Sequence, residues 1–354
     1  MEDLTYNQKL IDDTLNKLKN EPNNLEHYFL LGKLYILQNE YDKALRTYED
    51  ILKINPTDVQ ALVNAGSLYF FFEDFNRAIS NYQLASEHET QSYSIYFNLA
   101  NAYAEINDFK LAFKYYNKAL DLQPENAMIY AAIGLLYQDN NDFLEAEKYY
   151  NKAISLDKFN SEHYISKASI MMKLYKFEEA VNNFKKALDI EPENYKACLC
   201  LANAYSAMSN YEKAHQYFDK VLQITPNYYQ AYVCLAISYS DEGKLKEAID
   251  AYKKAITIEP EMPNAYLLLA NLFVAENRYN EALDYYNKVT MILPNDADTY
   301  KLIGNTHAIL DNLDLAILNY RKAVELDNDC DELKLIYYEI VDEFINRKEK
   351  LNAA

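Results

Sequence analysis

Residues 93–126 read YSIYFNLANAYAEINDFKLAFKYYNKALDLQPEN and contain one complete unit of the pattern that predicts the fold class of this chain. An apolar segment of helical periodicity comes before the turn-type pair Asn107-Asp108, and a second such segment follows it up to Pro124. Proline stops a helix because it has no N–H group to donate to the preceding turn. The stretch therefore predicts two helices that are joined by a short turn.

Proline positions show the length of the unit. Seven of the 8 prolines lie 34 or 68 residues apart: Pro22, Pro56, Pro124, Pro192, Pro226, Pro260 and Pro294. Units that begin three residues after each step of this ladder divide most of the chain into nine repeats: 25–58, 59–92, 93–126, 127–160, 161–194, 195–228, 229–262, 263–296 and 297–330. Recurrence inside one chain predicts a repeat architecture, not the separate globular domains that a length of 354 residues suggests.

Three positions of the repeat show the pattern most clearly. The twentieth residue is alanine in every repeat, the eighth is glycine or alanine, and the twenty-fourth is tyrosine or phenylalanine. Positions 4, 7, 8 and 11 fall on one stripe of a first helix, called A, and positions 20, 24 and 27 on one stripe of a second helix, called B. Small residues at positions 8 and 20 let the two backbones approach closely, and the aromatic rings fill the space around that contact.

A single hairpin of two helices cannot bury its own apolar faces, whereas stacked hairpins can. Helix breakers are scarce, with 5 glycines and 8 prolines in the chain, and this favours a helical array. The sequence therefore predicts an all-α solenoid that forms one array and not several domains.

The repeat resembles that of the tetratricopeptide family across residues 25–330. Small residues at positions 8 and 20, aromatic residues at positions 4, 11, 17 and 24, and proline at position 32 carry the resemblance. Lys167, where an apolar residue is usual, and Ile51, where a small residue is usual, are local departures. The resemblance implies a right-handed superhelical solenoid of helix-turn-helix repeats, with the A helices on the concave side and a protein or peptide bound in that groove.

Both ends of an open array need helices that cover its apolar faces. Residues 1–24 are predicted to form an N-terminal capping helix. Its apolar residues share one side of the helix: Leu4, Ile11, Leu15 and Leu18. Residues 331–354 are predicted to form a C-terminal capping helix and tail. Dimerisation through one of the end helices is the alternative interpretation.

Helix A has a second stripe, at positions 2, 5, 9 and 12, that lies roughly 150° from the stripe facing helix B. We expect this stripe and the neighbouring position 6 to line the groove. The candidate binding residues are amides, apolar side chains and one lysine: Asn64, Phe97, Asn98, Asn101, Leu135, Asn203, Val233, Leu267, Asn271, Lys301 and Asn305. An amide has both a donor and an acceptor, so a row of asparagines can hold the backbone of an extended peptide beside apolar contacts.

These amides resemble the asparagine ladder in the repeat arm of O-linked N-acetylglucosamine transferases, although only Asn64 and Asn98 occupy the sixth position. The carboxylate clamp of certain co-chaperones is incomplete here, because its first pair, matched by Lys301 and Asn305, lies in the ninth repeat. Two alternatives stay open for the stripe. Position 5 packs against the neighbouring A helix, and the position-9 asparagines hydrogen-bond to the next repeat or face water.

Composition narrows the class of partner. The net charge of −19 disfavours nucleic acid, because an acidic surface repels phosphate, and it favours a neutral or basic protein or peptide. The 5 histidines are dispersed and no glycine-rich phosphate loop is present, so we expect no enzyme activity, no cofactor and no metal. No apolar stretch reaches the ~18 residues of a membrane span. The acidic N-terminus lacks the features of a secretory signal, which predicts a cytoplasmic protein.

The leading hypothesis is a non-enzymatic scaffold or adaptor, a monomer or weak oligomer, that binds a protein or peptide segment in its groove. Two alternatives stay open. One is a regulatory or substrate-recruiting arm of a separate enzyme, in a glycosyltransferase-like assembly, which a co-purifying enzyme would support. The other is a structural scaffold that self-associates through its ends, which a concentration-independent monomer in light scattering would exclude.

Overall fold

A computed structural model describes residues 2–353 of the chain and the side chains of residues 6–350. Within this range the secondary structure consists of 20 α-helices and no strands, which confirms the predicted all-α class. The chain divides into two compact units, Met1–Ile190 and Glu191–Ala354. The sequence predicted one array, and the boundary between the units falls at the end of a B helix, one residue before Pro192.

The first unit contains a lone helix and five helical hairpins. Its helices are α1 (Glu2–Asn20), α2 (Leu25–Leu37), α3 (Tyr41–Ile54), α4 (Val59–Phe71), α5 (Phe75–His88), α6 (Tyr93–Glu105), α7 (Phe109–Leu122), α8 (Ala127–Asp139), α9 (Phe143–Leu156), α10 (Ser161–Lys173) and α11 (Phe177–Ile190). The even-numbered helices are A helices, and each packs against the B helix that follows it.

The second unit contains four hairpins and a long final helix. Its helices are α12 (Tyr195–Ala207), α13 (Tyr211–Ile224), α14 (Tyr229–Glu242), α15 (Leu245–Ile258), α16 (Pro263–Ala275), α17 (Tyr279–Ile292), α18 (Ala297–Ile309), α19 (Leu313–Leu326) and α20 (Asp331–Ala353). The pairing of A and B helices is the same as in the first unit, and α20 packs against α19.

Close contact between the two helices of each hairpin follows from the small residues at positions 8 and 20. In the second repeat, Ala78 of α5 is fully buried, and the ring of Tyr82 lies over Gly66 of α4. A Cβ atom on Gly66 would lie only 2.8 Å from Cε1 of Tyr82. The repeat therefore packs a large ring directly on a helix backbone, at a separation that a residue larger than alanine at position 8 would prevent.

The turn between helices A and B has the same backbone conformation in all nine repeats. The fifteenth residue takes a left-handed conformation: Asn39, Glu73, Asn107, Asn141, Tyr175, Ser209, Gly243, Asn277 and Asp311. Such a residue ends helix A because it lets the following N–H groups bond to the last carbonyls of the helix, as Asp108 N–H does to the Tyr103 carbonyl at 2.9 Å. The Asp108 side chain then accepts from Leu111 N–H at 3.0 Å and begins helix B.

Helix α1 covers the apolar side of the first hairpin. Ile11 and Leu18 are buried against Leu31 of α2. Leu15, which the sequence placed on the same stripe, is 38% exposed, and the side chain of Leu4 lies outside the described residues. Burial of the stripe is therefore uneven along α1.

Helix α20 covers α19 in the second unit. Leu333 is buried, while Glu332 and Glu339 on the other side of the helix are exposed. Arg347 forms ion pairs with Glu343 in its own helix and with Asp311 in the turn of the ninth repeat. The final helix thus contacts the last hairpin through both apolar packing and charge.

Replacing Gly66 tests the contact between helices A and B. We expect Gly66→Val to lower the free energy of unfolding by about 1–3 kcal/mol, because its side chain overlaps the ring of Tyr82. Gly66→Ala is the matched control. It gains about 1 kcal/mol of helix propensity that offsets a small shift of the ring, as the combination of Ala100 and Tyr116 in the next repeat shows is possible. Urea denaturation of both variants measures this, and equal stability of the two would contradict the packing argument.

Candidate functional site

The A helices of the first unit form a continuous surface. Consecutive A helices contact one another, α4 with α6, α6 with α8, and α8 with α10, and each is covered on another side by its B helix. The remaining sides of α4, α6 and α8 carry positions 5, 6, 9, 12 and 13 of their repeats. We call this surface the groove face.

A cavity of 390 Å³ opens on the groove face where α6 and α8 meet. Its lining combines aromatic, apolar, amide and acidic side chains: Phe70, Asn101, Ala104, Glu105, Asn107, Phe109, Tyr116, Ala132, Leu135, Leu136 and Asp139. Two residues of the set predicted from sequence, Asn101 and Leu135, are among them. Leu135 is 49% exposed, so a large apolar side chain faces solvent at the rim of the cavity.

The other predicted residues of the first unit lie near this cavity without lining it. Asn64 and Asn98 are half-buried at position 6 of α4 and α6. Phe97 is also half-buried, and its ring centroid lies 5.8 Å from that of Tyr116 in the B helix of the same repeat. Phe97 therefore packs mainly within its own hairpin, and the groove face has access only to part of its ring.

The asparagines at position 9 bond to the tyrosines at position 24 of the same repeat. The Tyr116 hydroxyl donates to Asn101 Oδ1 at 2.6 Å. The same bond joins Tyr286 to Asn271 at 2.6 Å and Tyr320 to Asn305 at 2.7 Å. The amide oxygens of these asparagines therefore bond within their own repeat and not to the next repeat, while Asn271 is also exposed to water. We call this pair of residues the Asn–Tyr clasp.

Repeats without an asparagine–tyrosine pair show what the clasp requires. Tyr150 faces Leu135 at position 9, which cannot accept, and its hydroxyl instead reaches Gln138 Oε1 at 3.3 Å. In the sixth repeat the aromatic residue is Phe218, which has no hydroxyl, and Asn203 turns its amide towards Cys234 Sγ at 3.8 Å. The clasp therefore forms only where a hydroxyl and an amide oxygen are both present.

The clasp leaves the two N–H groups of each amide for other partners. Burial raises the pKa of Tyr286 to about 12, so its hydroxyl keeps its proton at neutral pH and acts as a donor. The hydroxyl therefore donates a hydrogen bond to the amide oxygen of Asn271, and the amide nitrogen points away from it. The row of asparagines predicted a donor and an acceptor together at each amide, whereas the structure makes these amides chiefly donors.

Two acidic residues of the cavity were not predicted from sequence. Glu105 and Asp139 occupy position 13 of the third and fourth repeats. They lie one helical turn after Asn101 and Leu135, and this spacing of four residues places them on the same side of the helix. A stripe extended from position 9 by four residues would have found both.

In the second unit the predicted residues differ in exposure. Val233 is only 1% exposed and packs in the core, so the prediction that it faces the groove is wrong. Leu267 is half-buried against the same core, and Asn271 is exposed. Lys301 Nζ lies 3.2 Å from a carboxylate oxygen of Glu332 in α20, which holds the lysine towards the final helix.

Among residues 6–350, whose side chains the structure describes, there is no group of three or more histidine, cysteine or acidic side chains arranged to hold a metal ion. None of the helices in that range combines the length and the apolar character that crossing a membrane requires.

Comparison with protein families finds one family throughout the chain. Models described as tetratricopeptide repeat match residues 28–58, 91–158, 171–233, 239–305 and 297–330. These matches cover parts of all nine predicted repeats, although only residues 91–92 of the second.

One known protein, over a short stretch, and two solved structures are also similar to this chain. The formate-dependent nitrite reductase complex bifunctional subunit NrfFG of Haemophilus influenzae is 38% identical over 55 residues, which are 16% of this chain and only 14% of that protein. Yeast Tom70 has a TM-score of 0.56 at 14% identity, over 97% of this chain and 96% of that one. A tetratricopeptide repeat protein from Parabacteroides merdae has a TM-score of 0.55 at 22% identity, over 71% and 99%. At these identities the two structures show a shared fold.

A double-mutant cycle tests the Asn–Tyr clasp. We expect Asn101→Ala to lower the free energy of unfolding by about 1–3 kcal/mol, because the buried Tyr116 hydroxyl loses its acceptor. Tyr116→Phe should cost about 0.5–1.5 kcal/mol, and the double variant less than the sum of the two. Asn203→Ala, opposite Phe218, is the matched control and should cost less than Asn101→Ala. Additive effects in chemical denaturation would show that the two residues are not coupled.

Proposed function

The chain belongs to the tetratricopeptide repeat family, and from this we propose that it is a non-enzymatic adaptor that holds a peptide or protein segment on the groove face. The fold of this family is typical of protein–protein interaction scaffolds. The observation that carries the proposal is the cavity between α6 and α8, which combines an exposed apolar rim with hydrogen-bond donors. Its volume of 390 Å³ lies within the range of about 300–1,000 Å³ that is usual for ligand pockets.

An extended segment suits this surface better than a compact ligand does. Asn101 offers amide N–H groups to a backbone carbonyl, and Leu135 offers an apolar contact about one repeat away. Asn64, Phe97 and Asn98 continue the surface beside the cavity. A chain that runs across consecutive A helices would meet one set of these groups at each repeat.

The second unit has its own candidate set. Asn203, Leu267, Asn271, Lys301 and Asn305 remain in the proposal, and Val233 leaves it because it is buried. Asn271 and Asn305 present their amides through the same clasp as Asn101. We propose that these residues contact a segment in the same manner as those of the first unit.

The net charge supports a class of partner, and the cysteines support a cellular compartment. A net charge of −19 supports a neutral or basic protein or peptide as the partner and makes nucleic acid a poor one. No disulfide links the four cysteines, which is consistent with the proposed cytoplasmic location. The adaptor is proposed to act as a monomer or weak oligomer.

The experiment that tests the proposal uses two exposed leucines of the fourth repeat. The full chain is used to select binders from a displayed library of random linear peptides, and selected peptides are synthesised with a fluorescent label. We expect Leu135→Asp to weaken their binding at least about tenfold, because it places a charge on the apolar rim. Fluorescence anisotropy measures the affinities.

Leu144→Asp is the matched control. Leu144 belongs to B helix α9, is 61% exposed and does not line the cavity. The control variant should bind the selected peptides as the unchanged chain does. Equal effects of the two substitutions, or no effect of Leu135→Asp, would refute binding on the groove face.

A further inference from the structure

Two carboxylates and no basic side chain line the cavity of the groove face. Glu105 and Asp139 come from the consecutive A helices α6 and α8 and occupy the same position of their repeats. Among the described residues neither of them forms an ion pair. Both residues are exposed, and two like charges at one cavity without a basic neighbour attract a cation that enters it.

The charges of Glu105 and Asp139 both affect the hydroxyl of Tyr116, which lines the cavity. Burial, together with the charges of Glu105 and Asp139, raises the pKa of the Tyr116 hydroxyl. Burial also raises the pKa of the Asp139 carboxyl, because removal from water disfavours its charged form. Both acids therefore lie close enough to this hydroxyl for their charges to affect its pKa.

The remaining lining distinguishes between cations. The rings of Phe70 and Phe109 are part of the cavity wall. A guanidinium group is planar and weakly hydrated, stacks on aromatic rings and binds carboxylates through two parallel hydrogen bonds. A lysine ammonium is compact and strongly hydrated, and a metal ion prefers several oxygen ligands close together. A cavity of 390 Å³ with aromatic walls fits the guanidinium and its alkyl stem.

We propose that this cavity receives the arginine side chain of an extended peptide segment, with the guanidinium between Glu105 and Asp139. The inference rests on the proposed function and specifies the partner of that same surface. The amide N–H groups of Asn101 would hold a backbone carbonyl beside the arginine. Leu135, at the rim, would contact an apolar side chain next to the arginine in the segment.

The test measures how affinity changes when the charge is removed from the peptide, from the cavity, or from both. Peptides selected by the full chain are expected to share an arginine next to an apolar residue. Replacing that arginine by citrulline, which keeps the shape and removes the charge, should weaken binding at least about tenfold. The variant Glu105→Gln with Asp139→Asn should weaken the arginine peptide to a similar extent and leave the affinity of the citrulline peptide unchanged.

A control variant removes the same charge elsewhere. Asp121→Asn with Glu125→Gln alters two exposed acidic residues outside the cavity, and it should bind the arginine peptide as the unchanged chain does. Selected peptides that lack arginine but lose affinity with Leu135→Asp would overturn the arginine site and leave the proposed function standing. So would equal effects of the cavity and control variants. Selected peptides that are insensitive to Leu135→Asp would overturn both proposals, and tight binding of free acetyl-arginine methylamide would overturn the assignment to a peptide segment.

Discussion

Close approach of the two helices of each hairpin is the constraint from which the other features of the structure follow. Alanine at position 20 and glycine or alanine at position 8 bring the backbones near enough for one aromatic ring to lie directly on helix A, as Tyr82 does on Gly66. That ring fills the core of the repeat, and the hydroxyl end of a tyrosine ring lies beside position 9. Small residues inside the hairpin therefore determine where the aromatic residue meets the groove face.

The tyrosine at position 24 connects the core with the surface. Its ring is buried, yet its hydroxyl reaches the amide of position 9 and donates a hydrogen bond to the amide oxygen, as Tyr116 does to Asn101. One side chain thus stabilises the hairpin and leaves the amide N–H groups for other partners. Where phenylalanine replaces the tyrosine, as at Phe218, the amide is released and takes another direction. The hydrogen-bonding character of the surface consequently varies from repeat to repeat while the packing stays the same.

The distribution of charge matters more than its total. Most of the acidic residues that produce the net charge of −19 stand in water, where salt screens them. Glu105 and Asp139 differ because, although both are exposed, they line one cavity together with aromatic and apolar side chains. A cation that enters this cavity would meet both carboxylates and the aromatic rings at once, and the general acidity of the surface offers no such combination.

The helices, the turns and the packed positions could be predicted from the sequence, because they depend on spacings of three, four and 34 residues within the chain. Residues at position 9 were found in the same way. Only the tertiary structure showed that Val233 is buried, that Tyr116 occupies the oxygen of Asn101, and that Glu105 meets Asp139 in one cavity. The physical reason is that the chemistry of a surface depends on which side chains converge from different helices, and that convergence depends on how closely the helices pack and at what angle.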